Sequence, residues 1–423
     1  MIEIEREELK PVRAVLVGLA ENRTATDPNP VHELESLAST AGLECAAQIV
    51  LTKPADSPRY GVGSGKALEI KTVALECEAE YIVFDFEITP SQQRNWESLT
   101  ELTCIDRQEL IIRIFAARAM TREAALQVEL ARLEYALPRL SHTYSALSRQ
   151  RGGRYGTKGS GESQLELDRR SIVDRIARLK VELKQVRQNR STMRKRREKK
   201  PVPSCAIVGY TNVGKSSLLN ALTGARVLSE DKLFATLDPT TRRFILPTGR
   251  TVLLTDTVGF IRNLPHGLVD AFHATLEEAA LATAVICVLD ASDPALDVQY
   301  ETTLRVLREV GTADRPLLLV LNKVDVCEEF TRSRILREYP QAILMSAHTG
   351  EGFTAFASSL ETLLAGDLRQ YLLPLSRPDV LARIHREGLV VSSRYEDDGI
   401  VVHARTDGAL AASLQEFLDE TNT

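Results

Sequence analysis

The run CAIVGYTNVGKSSLLNAL, residues 205–222, constrains the fold more than any other stretch. A short apolar β-rich segment leads into Gly209, Tyr210, Thr211, Asn212, Val213, Gly214, Lys215 and Ser216, spaced G-x-x-x-x-G-K-[ST], and an apolar helical pattern follows at once. Two glycines at this spacing let the chain turn tightly between a strand and a helix. The turn then aims several backbone N–H groups, and the positive end of the helix dipole, at one point that suits phosphate oxygens. Lys215 is expected to reach the β- and γ-phosphates, and Ser216 to ligate Mg²⁺. A strand–turn–helix of this kind belongs in an α/β domain with a mainly parallel, doubly wound sheet.

Three further elements follow in order, which makes a chance match untenable. Asp256, Thr257, Val258 and Gly259 end the apolar strand TVLLT; this places Asp256 beside the metal without direct ligation, and the Gly259 amide near the γ-phosphate. Asn322, Lys323, Val324 and Asp325 end the strand PLLLVL. The Asp325 carboxylate can accept from guanine N1–H and its exocyclic amine, which adenine does not offer, so ATP would leave a buried carboxylate unpaired. Ser346, Ala347 and His348 are expected to close the base pocket through backbone amides. Between the first two elements, LFATLDPTTR carries Phe234, Ala235, Thr236, Leu237 and Asp238. Thr236 is the candidate switch threonine on Mg²⁺, with Thr240 and Thr241 as alternatives. Lys215, Thr236 and Gly259 are therefore read as the catalytic set, and the whole group as a GTP pocket.

The rest of the chain is organised around this region. At 423 residues, several domains are expected. Residues 1–115 alternate β-rich and helical runs, as in a small parallel α/β domain. Residues 116–200 turn wholly helical. Leu126, Leu130, Leu133, Leu137, Leu140, Tyr144 and Leu147 form one seam, Ile172, Ile176, Leu179, Leu183 and Val186 another, and the two can zip as an antiparallel hairpin with a kink at Pro138. The glycine-rich RGGRYGTKGSG then forms its tip, and Gln164 to Arg170 begin the return helix. Residues 201–367 hold the strand–helix pattern of the nucleotide domain, and 368–423 read as a small α+β domain.

Charge singles out the hairpin. The chain carries a net −5, yet residues 116–200 carry +13, leaving −18 for the remainder. Like-signed groups on one projection attract a polyanion, and Arg151, Arg154, Lys158, Arg169 and Arg170 near the tip are the candidate RNA contacts. The six cysteines have no ligand spacing and read as reduced, mostly buried thiols. No leader or membrane span is legible, and the chain reads as a cytoplasmic monomer.

DTVGFIRNLPHGLVDAFHATLEE, GYTNVGKSSLLNAL and FATLDPTTR resemble the HflX family of translation-factor-class GTPases, and the glycine tip followed by GESQLELDRR is similar to that family's G-G-x-G-x-x-G-x-G-E-[ST]-Q-L-E-x-D-R-R segment. The likeness spans about residue 10 to 365; Ser163 stands where the family often has threonine, and Arg154 and Lys158 add charge to the tip. The resemblance implies a GTPase that binds the large (50S) ribosomal subunit near its peptidyl-transferase RNA and splits or rescues stalled or idle ribosomes under stress. Two rival readings are a GTPase of ribosome assembly or RNA modification, and a signalling switch acting through protein partners.

Three positions qualify the mechanism. Phe260 follows Asp256–Gly259 where many GTPases have glutamine, and a phenyl ring cannot orient water, so slow intrinsic turnover is expected. His266 and His273 are candidates for that task, though each reads more simply as structural. Asn212 resembles the asparagine that holds K⁺ in related potassium-activated GTPases; the alternative is a side chain bonding its own loop. RYGVGSGKALEI at 59–70 imitates a second phosphate loop but has Tyr60 and Ala67 where glycine and a hydroxyl are required, so it reads first as a turn before a helix.

Overall fold

The computed structural model describes residues 11–20, 30–52, 57–140, 160–197, 202–224, 233–234, 237–262, 278–312, 315–396, 399–406 and 408–418. Tyr144, Leu147, Arg151, Arg154, Lys158, Ala235, Thr236, His266 and His273 lie outside these residues.

Strands β1 (Val12–Leu19), β2 (Leu43–Leu51), β3 (Tyr81–Phe84) and β4 (Thr103–Asp106) form an all-parallel sheet in the order β2-β1-β3-β4. Parallel strands are covered on both faces, hence their near-continuous apolar runs. Ala14 and Leu16 pack with α1 (His32–Thr40) and α4 (Arg107–Arg118), whereas Val15 and Val17 pack with α2 (Ser64–Glu76) and α3 (Pro90–Thr100). Helix starts follow local chemistry. Thr89 and Gln92 form a capping box on α3, and the Asp106 carboxylate accepts from the Glu109 N–H at 2.9 Å at the head of α4.

Helix α5 (Arg122–Ala136) meets the long helix α6 (Ser160–Arg197) through Leu126, Leu179 and Leu183, with Leu130, Leu133 and Val186 around them. This part of the expected seam is observed, with two differences. The proline does not kink α5: the helix ends at Ala136, two residues before Pro138, whose ring would clash with the carbonyl one turn back. The return helix also begins earlier, at Ser160, so its first turn takes in Gly161. Ion pairs Glu129–Arg175 and Arg122–Glu182 flank the contact and fit one antiparallel register, from which the third pair, Glu134–Lys180, departs. Arg139 seats the end of this segment on the first sheet, bonding Asp106, the Ile88 carbonyl and Gln93.

The second sheet has the order β10-β9-β8-β5-β7-β6, in which β5 (Ser204–Gly209), β7 (Thr251–Asp256), β8 (Ala284–Asp290), β9 (Leu317–Asn322) and β10 (Ile343–Leu344) are parallel. The edge strand β6 (Thr240–Ile245) is antiparallel to β7. One face carries α7 (Lys215–Thr223) and α10 (Phe353–Ala365); the other carries α8 (Leu296–Glu309), with α9 (Glu329–Glu338) beyond it. The cluster on this second face is continuous with the one under α1 and α4, so the two sheets share a buried apolar core.

A last antiparallel sheet, β11-β13-β12, is built from β11 (Asp367–Leu373), β12 (Leu389–Glu396) and β13 (Gly399–Thr406). Helices α11 (Pro378–Glu387) and α12 (Gly408–Ser413) cover one side around Tyr371, Ile384 and Val402. Strand β11 was not expected: DLRQYLL lacks the β-branched enrichment that marks its partner GIVVHART. Among the described residues no helix is long and apolar enough to cross a membrane. Cys104, Cys205 and Cys287 are buried, while Cys45, Cys77 and Cys327 are only partly so.

Candidate nucleotide site

The site forms at the carboxyl ends of the parallel strands, where an α/β sheet leaves a crevice. Strand β5 ends at Gly209, and α7 begins immediately after Gly214, which has φ 89°. A side chain at 214 would be strained by that φ and would also place a Cβ 2.4 Å from Asn322 Nδ2. The Lys215 amine is buried and donates to the carbonyls of Gly209 and Tyr210 at 3.2 and 2.6 Å. Burial lowers its pKa to about 8, against the opposing pull of Asp256. Ser216 Oγ donates to Asp256 Oδ2 at 2.6 Å, and Asp256 is fully buried at the end of β7. A hydroxyl and a carboxylate so placed are hard oxygen donors that fit Mg²⁺. Gly259 approaches the loop closely: a Cβ there would lie 2.8 Å from Lys215 Nζ.

On the opposite side a cavity of about 300 Å³ is lined by Gly214, Ser217, Asn322, Lys323, Asp325, Val326, Ala347 and His348. Asn322 holds it together, donating to the Val213 carbonyl at 2.9 Å and accepting from the Ala347 N–H at 3.0 Å. Ser346 Oγ accepts from the His348 and Thr349 N–H groups, which fixes the turn. Lys323 adopts φ 63° and pairs with Asp290 at 2.7 Å. Asp290 was missed by the sequence reading, although it ends the apolar strand AVICVLD just as Asp256 ends its own.

The structure thus brings together the residues of 209–216, 256–259, 322–325 and 346–348. Of the segment 234–238, Phe234, Leu237 and Asp238 are described; Phe234 meets α4, Asp238 meets the start of α5, and Leu237 packs against the core shared by the two sheets. Phe234 stacks edge-on against Phe115 at 4.6 Å, and Asp238 accepts from the Met120 and Thr121 N–H groups at 3.1 and 3.0 Å. Thr240 and Thr241 belong to β6, and the Thr241 hydroxyl bonds Thr255 at 3.0 Å. Phe260 is buried in the core shared by the two sheets, and Asn212 is exposed at φ 63°.

A second group of residues was invisible in the sequence. Tyr210 donates its hydroxyl to Glu33 Oε1 at 2.5 Å and accepts from the Arg262 N–H at 2.7 Å. Arg107, almost wholly buried, pairs with Glu33 at 2.9 Å and Asp85 at 2.6 Å, and Arg262 pairs with Glu33 at 3.2 Å. Burial pushes the Tyr210 phenol well above its ordinary range, and the Glu33 charge pushes the same way, so it acts as a neutral donor. The turn after Gly259 and the phosphate loop are in this way tied to α1 and α4.

Outside this pocket, Arg169 and Arg170 stand exposed on α6. In the imitation loop, Tyr60 is buried with its carbonyl accepting from Trp96 Nε1 at 2.9 Å, and Lys66 pairs with Glu69 of its own helix at 2.6 Å. A turn before a helix is what the residues form.

Comparison with known proteins places this geometry in context. Three family models match: "GTP-binding GTPase N-terminal" over residues 29–116, "GTP-binding GTPase Middle Region" over 118–197 and "50S ribosome-binding GTPase" over 204–323. A protein of Akkermansia muciniphila called GTPase HflX is 44% identical over 402 residues, covering 92% of each chain. The GTPase HflX of Escherichia coli K12 is 42% identical over 381 residues, covering 89% of each. Among solved structures, a GTP-binding protein from Sulfolobus solfataricus in complex with GDP aligns with TM-score 0.45 and 25% identity over 84% of this chain and 98% of its own.

Proposed function

The chain belongs to the HflX family of GTPases, a group that hydrolyses GTP, and from that premise we propose that it binds the large ribosomal subunit through its basic helical pair and splits or rescues stalled or idle ribosomes in the cytoplasm. The observation that carries this reading is the concentration of +13 charges on residues 116–200 of an acidic chain, with Arg169 and Arg170 exposed there. Lysine and arginine contacts to phosphate release counterions, which suits an RNA surface. The description of the matching nucleotide-domain model as a 50S ribosome-binding GTPase supports the same partner. In this reading residues 1–115, 116–200, 201–367 and 368–423 are four working parts, the second presenting Arg151, Arg154 and Lys158 at its tip.

Within the pocket, Lys215 would hold the β- and γ-phosphates, Asp325 the guanine edge, and Ser216 with Thr236 a Mg²⁺ ion that Asp256 orients. Bound Mg²⁺ supplies positive charge against the phosphate oxygens. The Gly259 amide would follow the γ-phosphate and carry its presence to Arg262. Asn212, exposed within the loop, is where K⁺ would act; equal rates in K⁺ and Na⁺ would remove it from the reading.

The test is the GTPase rate with and without purified large subunits, together with cosedimentation of a chain lacking residues 152–161. Stimulation by complete subunits, and its loss in the deletion, is the expected result. Stimulation by free RNA or immature subunits alone would instead indicate an assembly or RNA-modification role.

A further inference from the structure

Thr211 is 6% exposed, and its Oγ1 is closed off from solvent with no hydrogen-bond partner among the described residues. Folded proteins seldom keep a buried hydroxyl in that condition unless a ligand or water completes it. Its neighbours indicate which partner is missing. The Thr211 N–H donates to the Phe260 carbonyl at 2.8 Å, so the residue is held between the phosphate loop and the turn that follows β7. A Cβ on Gly259 would meet Thr211 Cα at 2.8 Å, Thr211 Cγ2 at 2.9 Å and Lys215 Nζ at 2.8 Å. The Thr211 side chain and the Lys215 ammonium therefore both lie against Gly259, beside the head of α7, where the helix dipole and the Lys215 charge both favour an anion.

Resting on the assignment of this pocket to GTP, we propose that the Thr211 side-chain hydroxyl donates a hydrogen bond to a γ-phosphate oxygen and is a catalytic residue of GTP hydrolysis. Phe260 cannot itself supply such a group. Its ring is in the shared core, so the position that often carries a polar side chain beside the γ-phosphate offers only backbone here. During hydrolysis the water oxygen bonds to the γ-phosphorus as the bond to the β–γ bridging oxygen breaks and GDP leaves, and the water proton passes to a phosphate oxygen of the products. Thr211 neither gains nor loses a proton; its hydroxyl meets the charge spread over the γ-phosphoryl oxygens in the transition state. GDP lacks those oxygens, so the contact also favours GTP over GDP.

The test uses the full chain with Thr211→Val and Thr211→Ser, reading single-turnover hydrolysis and the affinities for GDP and a non-hydrolysable GTP analogue. The isosteric valine is expected to lower the hydrolysis rate about tenfold to a hundredfold, as loss of one oriented donor does. GDP affinity should stay within about twofold of wild type, and serine should restore the rate to within about threefold. A valine variant with wild-type rate and wild-type GTP:GDP ratio overturns the proposal. So does equal loss with valine and serine, or equal loss of GDP and GTP-analogue affinity, since either makes the role one of loop shape. Failure of the wild-type chain to bind guanine nucleotide would be a different result, against the pocket itself.

Discussion

The carboxylate of Asp238 closes the helix that Thr121 caps: Oδ2 accepts from the Thr121 N–H at 3.0 Å and Oδ1 from the Thr121 hydroxyl at 2.5 Å, while Thr121 Oγ1 accepts from the Ala124 N–H at 3.2 Å. A negative group at a helix start satisfies N–H groups that have no partner in the helix and opposes the dipole favourably. Asp238 therefore joins the segment ahead of β6 to the base of the helical pair. Replacing it with alanine is expected to cost about 1 kcal/mol, read as a lower denaturation midpoint at unchanged slope. Asparagine, which still accepts one bond, should recover part of this.

Tyr210 and Glu33 join the phosphate loop to α1. Tyr210→Phe removes a donor from a carboxylate that Arg107 and Arg262 already crowd, and leaves the Arg262 N–H with only the longer bond to Glu33 Oε1 of these two acceptors, at 3.4 Å. A loss of about 1–3 kcal/mol in unfolding free energy is expected. Arg107→Ala should be worse, about 3–5 kcal/mol, because Asp85 stays buried with its nearest charge partner gone. Circular dichroism during urea unfolding measures both.

Lys215 makes nucleotide affinity depend on pH. Burial lowers its pKa to about 8, so above that pH the amine is mostly neutral. Phosphates favour the charged form, so binding must then take up a proton, and affinity falls as pH rises. GDP affinity should drop about fivefold between pH 8 and pH 9, and a Lys215→Gln variant, though weaker throughout, should lose this slope over the same interval. A wild-type affinity that is flat across that interval would contradict the assignment.

Asp325 faces the base-side cavity, and its carboxylate accepts only. Asp325→Asn offers a donor that clashes with guanine N1–H but matches a xanthine carbonyl. Affinity for GDP should fall at least about a hundredfold while affinity for xanthosine diphosphate rises, as expected when a hydrogen-bonding edge meets a mismatched base. Competition against a fluorescent nucleotide reads both.

Arg169 and Arg170 are exposed on α6. If they meet ribosomal phosphates, the double alanine variant should weaken association with large subunits and flatten the plot of log affinity against log salt by about two contacts' worth. Unchanged slope with unchanged affinity would assign the contact elsewhere.

The pocket was legible because its residues carry their meaning in local order. A glycine pair before Lys215, Asp256 and Asn322 each ending an apolar strand, and turn residues at 346–348 are read along the chain, and the parallel order of the sheet follows from strand–helix alternation. The helical seams were legible from their 4, 3 spacing, and the exact stop of α5 was not, because a proline can bend or end a helix and packing decides which.

Other features depend on residues far apart in sequence. Glu33 and Arg262 are 229 positions apart, yet one carboxylate serves both Arg262 and Tyr210. Asp238 reads along the chain as part of a nucleotide loop, and only folding shows it 117 positions from its partner Thr121. Phe260 is apolar in any reading, but its burial in a core shared by two sheets removes it from the phosphates. The sequence by itself determined the motifs at 209–216, 256–259, 322–325 and 346–348 and where the positive charge resides, since spacing and charge are properties of the chain. The tertiary structure alone decided how the pocket is fastened to the first sheet and the helical pair, because buried ion pairs and caps are made between elements whose proximity no local pattern encodes.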